Sequence, residues 1–344
     1  MKHLSVNLIE AKELVVDALI AGLVPFLHSS PGLGKSSLAN QIAKEYNLYP
    51  IDCRLTQMDT SDFNGLIFKN STSTKSSYLP IDYFPLENDP IPNGYAGWLI
   101  ILDELSSAPL SIQAASYKLI LDRMIGNTKL HPKVKMIACG NLMTDKAIVN
   151  RQSTAMQSRM LHLVVHSDLN VSIKYFQSVN VDSRIISFLQ FKPGLLHYFD
   201  PNHSDLTFPC PRTWEFLNKL LKGWNNPTEI AYNKLPLIAG VIGQGTAREF
   251  YTFSEIYKEL PDRDSILNKP ETTVVPNEPS SLYAITGMLA DMVTDITLGK
   301  VLIYLARLPI EFQTITLQAV VRKNPDYLSH PAITPWIIQL AKYL

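Results

Sequence analysis

The stretch Val24-Pro-Phe-Leu-His-Ser-Ser-Pro-Gly-Leu-Gly-Lys-Ser-Ser37 decides the fold of this chain. It begins with a short apolar run, Val24 to His28, which has the length and composition of a buried strand. Small residues, proline and glycine follow from Ser29, and Ser36 to Tyr46 has the pattern of a helix. A strand, a glycine-rich loop and a helix in this order favour a parallel α/β sheet.

Four further strand patterns lie along the chain and alternate with helical patterns. They are Pro50–Leu55, Trp98–Leu102, Val134–Ala138 and Met160–Val165. An amphipathic helix is predicted before them, at Leu8–Ala21, from apolar residues at helical spacing. The sequence therefore predicts an α/β core with a five-stranded parallel sheet and flanking helices, followed by a largely helical part.

The glycine-rich loop predicts phosphate binding. Glycines let the backbone approach phosphates, and the N–H groups at a helix start point towards them. Lys35 would reach the β- and γ-phosphates, and the Ser36 hydroxyl would bind Mg²⁺. The usual pattern begins with glycine, where this chain has Ser29, so an altered loop geometry is open. The residues predicted to hold the nucleotide here are Ser30, Pro31, Gly32, Leu33, Gly34, Lys35, Ser36 and Ser37.

Two acids follow the most apolar strand pattern. Asp103 stands where that strand ends, so its carboxylate would emerge at the carboxyl edge of the sheet, where α/β proteins bind ligands. Asp103 would hold Mg²⁺ together with Ser36, and Glu104 would polarise an attacking water. An ordinary helix cap is the alternative for this pair. Asn141 follows the next strand and could orient the same water, although a strand-end asparagine is often only a turn residue.

This ordered set of motifs resembles AAA+ ATPases, and more narrowly their MoxR-like branch. The narrower resemblance lies in Leu55-Thr-Gln-Met-Asp-Thr-Ser-Asp-Phe-Asn-Gly65 and in Asp103-Glu-Leu-Ser-Ser-Ala-Pro-Leu-Ser-Ile-Gln-Ala-Ala115. It implies that Arg159 is an arginine finger offered to a neighbouring subunit, with Arg151 as a competing candidate. It also implies that Arg212 is a lid arginine that contacts the γ-phosphate. The usual acid before the finger is Ser158 here.

The resemblance also implies what such a protein works with. ATP and Mg²⁺ are the expected substrate and cofactor, and a ring, expected to be a hexamer, is the expected assembly. The client would be a protein, with a von Willebrand A-type domain as the candidate partner, remodelled or matured in a chaperone-like way. The inserted segment Thr56–Gly97 would face the ring pore, with Tyr83 and Phe84 as candidate client contacts.

The domain organisation follows from the change in pattern near His166. Residues 1–167 are predicted as the AAA+ α/β nucleotide-binding core, with inserted loops at 56–97. Residues 168–260 are predicted as the helical lid, 261–281 as a linker or long loop rich in proline and polar residues, and 282–344 as a C-terminal helical region. The last of these has no assigned chemical role.

Composition narrows the class of protein. Lys+Arg and Asp+Glu are 31 each in 344 residues, for a formal net charge of +0, which does not indicate a nucleic-acid binder. Cys53, Cys139 and Cys210 form no metal or disulfide pattern and are interpreted as reduced core thiols. No stretch is apolar enough to span a bilayer. We therefore expect a cytoplasmic protein without a membrane partner.

Three alternatives stay open from the residues. A DNA-remodelling or helicase-loader ATPase would use the same nucleotide site together with a basic surface. A nucleotide-gated binding module would hydrolyse little, and Ser29 and Ser158 leave this open, whereas Glu104 argues against it. A small-molecule kinase with a phosphate loop would need neither Arg159 from another subunit nor the long helical C-terminus.

Overall fold

A computed structural model describes residues 4–69, 75–145, 150, 153–202, 205–224 and 229–340. The chain divides into two compact units. We call the first, Met1–Ser167 with Asp200–Asn202, the α/β unit, and the second, Asp168–Phe199 with His203–Leu344, the helical unit.

The α/β unit alternates strands and helices along the chain. Short 3-10 helices cover Leu55–Gln57 and Met143–Asp145. Its strands are β1 (Ser5–Val6), β2 (Pro25–His28), β3 (Leu48–Arg54), β4 (Leu66–Lys69), β5 (Ser76–Leu79), β6 (Gly97–Asp103), β7 (Met124–Ile125), β8 (Thr128–Lys129), β9 (Val134–Gly140) and β10 (Leu161–Val165). Its helices are α1 (Leu8–Ile20), α2 (Lys35–Glu45), α3 (Thr60–Asn64), α4 (Leu110–Leu121) and α5 (Thr154–Gln157).

The main sheet has the order β1-β10-β2-β9-β6-β3, and every pairing in it is parallel. Its central strands are buried on both faces because helices cover both. Ile100 packs into the core cluster that α4 joins, while Leu99 and Ile101 pack into the cluster that α1 and α2 join. The predicted α/β class is confirmed. The count of five strands is wrong for the described residues, which form six, because the two-residue β1 is too short to give a periodic pattern.

The inserted segment at 56–97 has structure of its own. It contains α3 and an antiparallel hairpin in which Leu66 pairs with Leu79. The side chains of this hairpin are largely exposed. Tyr83 is also exposed, but Phe84 is 3% exposed and packs 5.9 Å from the ring centroid of Phe63. The interpretation of Phe84 as a client contact is therefore wrong, because the core already covers this ring.

The helical unit is built from α-helices. Short 3-10 helices cover Pro193–Leu195, Tyr232–Lys234 and Pro325–Ser329. The α-helices are α6 (Leu169–Ser178), α7 (Ser183–Phe191), α8 (Pro211–Lys222), α9 (Leu235–Ile242), α10 (Gln244–Glu259), α11 (Arg263–Asn268), α12 (Pro279–Met292), α13 (Leu298–Leu305), α14 (Ile310–Lys323) and α15 (Thr334–Leu340).

Two apolar clusters hold the helical unit together. One surrounds the fully buried Trp214 and Phe250, and the other surrounds Leu289 and Tyr304. Ile266 of α11 is fully buried in the second cluster. The segment 261–281, expected to be a linker or long loop, thus contains a helix that contributes to this core. Across the described residues, no helix is long and apolar enough to cross a membrane.

Candidate functional site

The loop between β2 and α2 has the backbone that the glycine pattern requires. Gly32 and Gly34 have φ values of 81° and 90°, a region that residues with a Cβ rarely adopt. Gly34 is also the N-cap of α2 and brings no side chain that could cap the helix. The first turn of α2 therefore follows directly on a loop of small residues. This arrangement suits the binding of an anion at a helix start.

Lys35, the first residue of α2, is buried, with 9% of its surface exposed. Its Nζ donates to the Ser29 carbonyl at 3.0 Å and to Ser29 Oγ at 2.9 Å. It also lies 3.4 Å from the Ser30 carbonyl and 3.3 Å from Asn141 Oδ1. A buried ammonium needs such acceptors, since an unpaired buried charge is costly. The positive charge is therefore held beside the loop and close to Asn141.

Ser36 and Asp103 meet across the site. Ser36 Oγ donates to Asp103 Oδ2 at 2.7 Å. Asp103 ends β6 and Ser36 lies in the first turn of α2, so the carboxyl end of the strand faces the helix start. A hydroxyl and a carboxylate are oxygen donors of the kind that Mg²⁺ prefers, usually together with substrate phosphates and waters. The pair thus fits the predicted Mg²⁺ site. Within the described residues, no cluster of three or more His, Cys, Asp or Glu side chains could hold a metal.

Glu104 is exposed and has an unusual backbone. Its φ of 58° lies in the left-handed region, and its amide donates to Asp103 Oδ1 at 2.9 Å. Its carboxylate accepts a hydrogen bond from Thr56 Oγ1. The helix α4 begins only at Leu110, so Asp103 and Glu104 are not the caps of that helix. Backbone strain of this kind clusters at functional sites.

Asn141 directly follows β9, which lies between β2 and β6 in the sheet. Because the carboxyl ends of parallel strands meet at one edge of a sheet, Asn141 lies beside the loop after β2. Its amide donates to Ser106 Oγ at 2.8 Å, while its Oδ1 is near Lys35. The structure thus brings Asn141, Lys35, Ser36 and Asp103 to the same edge, as the strand order predicts.

The other loop residues differ in what they offer. Ser30 Oγ donates to the buried Asp145 at 3.2 Å. Leu33 has a buried side chain, so only its backbone could serve a ligand. Pro31 is half-buried and Ser37 is exposed.

Of the three arginines predicted as functional, the structure describes Arg159 and Arg212, and both are exposed. Arg159, between α5 and β10, is exposed; its Nη1 donates to Tyr117 OH at 3.3 Å and its guanidinium lies 5.4 Å from the centroid of that ring. Arg151 lies outside the described residues. Arg212 is exposed in the first turn of α8, in the helical unit.

Three polar residues of the site were missed as functional candidates. Thr56 contacts Glu104, Ser106 holds the Asn141 amide, and Ser29 accepts from Lys35. Ser106 lies in the stretch Asp103–Ala115 that carries the family resemblance, and Ser29 replaces the first glycine of the usual loop pattern. The sequence therefore provided a reason to consider both residues. Thr56 had only its place directly after a predicted strand.

A buried cysteine lies behind the site. Cys139, in β9, is fully buried, and burial raises the pKa of its thiol, with the Asp103 carboxylate raising it further. The thiol therefore stays neutral and acts as a core group, which agrees with the interpretation of the cysteines. Cys53 and Cys210 are buried free thiols as well.

Comparison with known proteins gives structural likeness at low identity. No protein-family model matches the sequence, and no curated protein matches it. The chain is similar to the Thermotoga maritima RuvB Holliday junction branch migration motor, with 13% identity, 96% of this chain and 86% of that chain covered, and a TM-score of 0.39. It is also similar to a mutant of the Thermotoga maritima RuvB, with 14% identity, 97% of this chain and 88% of that chain covered, and a TM-score of 0.40. For NtrX from Brucella abortus the identity is 13%, the coverage is 75% of this chain and 62% of that chain, and the TM-score is 0.38. Likenesses this weak do not assign a family.

Proposed function

We propose that this protein is a Mg²⁺-dependent ATP hydrolase of the AAA+ type, in the MoxR-like branch. The observation that carries the proposal is the contact of Ser36 Oγ with Asp103 Oδ2 at 2.7 Å, beside a glycine loop and the buried Lys35. The hydroxyl of Ser36 follows the phosphate loop, and the carboxylate of Asp103 ends a strand. Two such oxygens in contact form a site for the metal ion of a bound triphosphate.

The residues have separate tasks in this proposal. The loop amides and Lys35 bind the phosphates, and Ser36 and Asp103 hold Mg²⁺, which neutralises phosphate charge when bound. Glu104 accepts the proton of the attacking water, a task open to an exposed carboxylate at the mouth of the site. Thr56 donates to Oε2 of the same carboxylate, so the second carboxylate oxygen is left to accept from a water. Asn141 orients that water from the neighbouring strand end.

The two arginines complete the site. Arg159 is the proposed arginine finger, because an exposed guanidinium could reach the phosphates of a neighbouring subunit and stabilise their charge. The contact of its guanidinium with the Tyr117 ring holds the Arg159 side chain in a defined direction before it meets a neighbouring subunit. Arg212 is the proposed lid arginine, whose role would be to contact the γ-phosphate.

The assembly and the client are further parts of the proposal. A finger supplied by the next subunit requires contact between subunits, and we propose a ring, as a hexamer, in the cytoplasm. The hairpin of β4 and β5 would contact the client protein, because Leu66, Ile67 and Leu79 are 60%, 68% and 56% exposed. We propose a chaperone-like action on a protein with a von Willebrand A-type domain.

The proposal is tested by the rate of ATP hydrolysis per subunit against protein concentration, with particle mass measured with and without Mg-ATP. We expect a rate that rises steeply with concentration, a ring-sized particle, and no turnover in Glu104→Gln. A monomer with a concentration-independent rate contradicts the ring. An active Glu104→Gln variant contradicts the role of Glu104.

The finger is tested by mixing two inactive variants. Glu104→Gln subunits keep Arg159, and Arg159→Ala subunits keep Glu104, so a mixed ring contains some complete sites. We expect partial recovery of ATP hydrolysis in the mixture. If Arg159→Ala alone keeps the parental rate within a ring, the finger lies elsewhere, with Arg151 as the next candidate.

A further inference from the structure

Ser29 stands where the phosphate-loop pattern begins with glycine, and it is fully buried. Its backbone N–H donates to the Gly140 carbonyl at 3.3 Å, which ties the start of the loop to β9. Its side chain adds a hydroxyl that glycine lacks. The structure shows that this hydroxyl lies beside Lys35.

The Ser29 hydroxyl is oriented by two contacts. It donates to the Ser30 carbonyl at 3.0 Å, so its oxygen lone pairs are left to accept. Lys35 Nζ lies 2.9 Å from that oxygen. The hydroxyl therefore acts as a fixed acceptor for the ammonium.

Distances rank the acceptors around the ammonium. An ammonium has three N–H donors. Of its four contacts to Ser29, Ser30 and Asn141, the two to Ser29 are the shorter ones, 2.9 Å to Oγ and 3.0 Å to the carbonyl. The contacts to Asn141 Oδ1 and the Ser30 carbonyl, at 3.3 and 3.4 Å, are longer. Ser29 can thus accept from two of the donors, and Asn141 Oδ1 is a further acceptor at 3.3 Å.

We propose that the Ser29 hydroxyl is a positioning group for Lys35, which fixes the direction of the ammonium before a phosphate arrives. Glycine at this position would offer only its carbonyl, and one donor would lose its closest acceptor. A hydroxyl bonded to a buried charge contributes more than a neutral pair does. The consequence for nucleotide binding rests on the proposed ATPase function, whereas the contact itself does not.

The first test measures the reactivity of Lys35 without nucleotide. The folded protein is labelled with limiting acetic anhydride, and acetylation at each lysine is quantified by mass spectrometry. In Ser29→Ala we expect Lys35 to react roughly tenfold faster, because a hydrogen bond to its charged form is lost. Ser116→Ala is the matched control, because it also removes a fully buried serine hydroxyl, one that bonds the Gln113 carbonyl within α4. Equal Lys35 reactivity in Ser29→Ala and the parent overturns the proposal.

The second test measures ATP affinity, kcat and KM. We expect Ser29→Ala to bind ATP roughly tenfold more weakly and to lose kcat as well, since a loosely held cation also serves the transition state less well. Ser29→Cys keeps a weak acceptor on the same side chain, so it should recover part of both losses. Parental affinity in Ser29→Ala overturns the positioning role if Lys35→Ala abolishes binding. If Lys35→Ala itself binds ATP like the parent, the proposed function fails, and the labelling result still decides the contact.

Discussion

The α/β unit and the helical unit use polar side chains in opposite ways. In the α/β unit, Ser36 contacts Asp103 where β6 ends, and Lys35 lies beside Asn141, which follows β9. In the helical unit, Arg184 binds Asp182 at 2.7 Å and is 5% exposed. Polar contacts at a sheet edge are therefore available for binding, whereas this buried pair at a helix start serves packing. Removing one from the first unit should cost activity, and removing one from the second should cost stability.

Lys35→Ala has the largest expected effect. We expect ATP affinity to fall on the order of a hundredfold, because charge-assisted contacts to phosphates are lost. We expect the melting temperature to stay the same or rise, since a buried ammonium carries a desolvation cost. Fluorescence titration with a labelled nucleotide and a thermal melt measure the two effects. Lys44→Ala, on an exposed position of the same helix, is the control. A large fall in melting temperature would mean that Lys35 holds the fold.

The matching change in the helical unit is Arg184→Met. It leaves the Asp182 carboxylate without its bidentate partner, and we expect the free energy of unfolding to fall by about 3 kcal/mol. ATP affinity of the folded protein should not change. Urea unfolding and nucleotide titration give the two numbers, with Arg263→Met at an exposed position as the control. Weaker ATP binding with parental stability would mean that Arg184 supports nucleotide binding and not the stability of the helical unit.

Most of the main sheet of the α/β unit could be predicted from its sequence. The runs Val24–Leu27 and Trp98–Leu102 are apolar throughout, because helices cover both faces of their strands. They are therefore recognisable without long-range information. The glycines at 32 and 34 mark a backbone that residues with a Cβ rarely adopt. The edge strand β1 has only two residues and depends on pairing with β10.

Contacts between distant residues lay beyond the sequence. The hydroxyl of Thr56 reaches Glu104 because β3 and β6 are neighbours in register, and linear order does not show this. Phe84 looked available because a polar segment surrounds it, yet it packs on Phe63. The pair of Arg184 and Asp182 had no motif, because a buried ion pair at a helix start needs only two ordinary residues.

A smaller effect separates orientation from binding inside the site. Ser106→Ala removes the acceptor of the Asn141 amide, so we expect the rate of ATP hydrolysis to fall roughly tenfold with little change in ATP affinity. The free energy of unfolding should fall by about 1 kcal/mol. Ser107→Ala, next in the same loop, controls for the local loss of a hydroxyl. If ATP affinity falls as much as the rate, Ser106 supports the binding of nucleotide and not only the position of Asn141.

The effect that is smallest at neutral pH concerns the core of the α/β unit. Burial raises the pKa of the Cys53 thiol to about 12, whereas an unfolded thiol ionises near about 8.5. The folded protein keeps a proton that the unfolded chain releases, so the free energy of unfolding falls as the pH rises from about 9 to about 12. Cys53→Ala should make this slope shallower by up to one proton, as measured by urea unfolding at several pH values. Ile100→Val, in the same core cluster, should keep the parental slope. An unchanged slope in Cys53→Ala would mean that the thiol ionises in the folded state.

The left-handed backbone of Glu104 sets stability against the proposed hydrolysis of ATP. A residue with a Cβ at this φ costs about 1 kcal/mol or more, and glycine would remove that cost. Glu104→Gly should therefore melt at a higher temperature than the parent while it loses the carboxylate. Screening a library of variants for heat resistance alone would then enrich molecules that no longer turn over ATP. At this position we expect the variant with the highest melting temperature to differ from the variant that hydrolyses ATP.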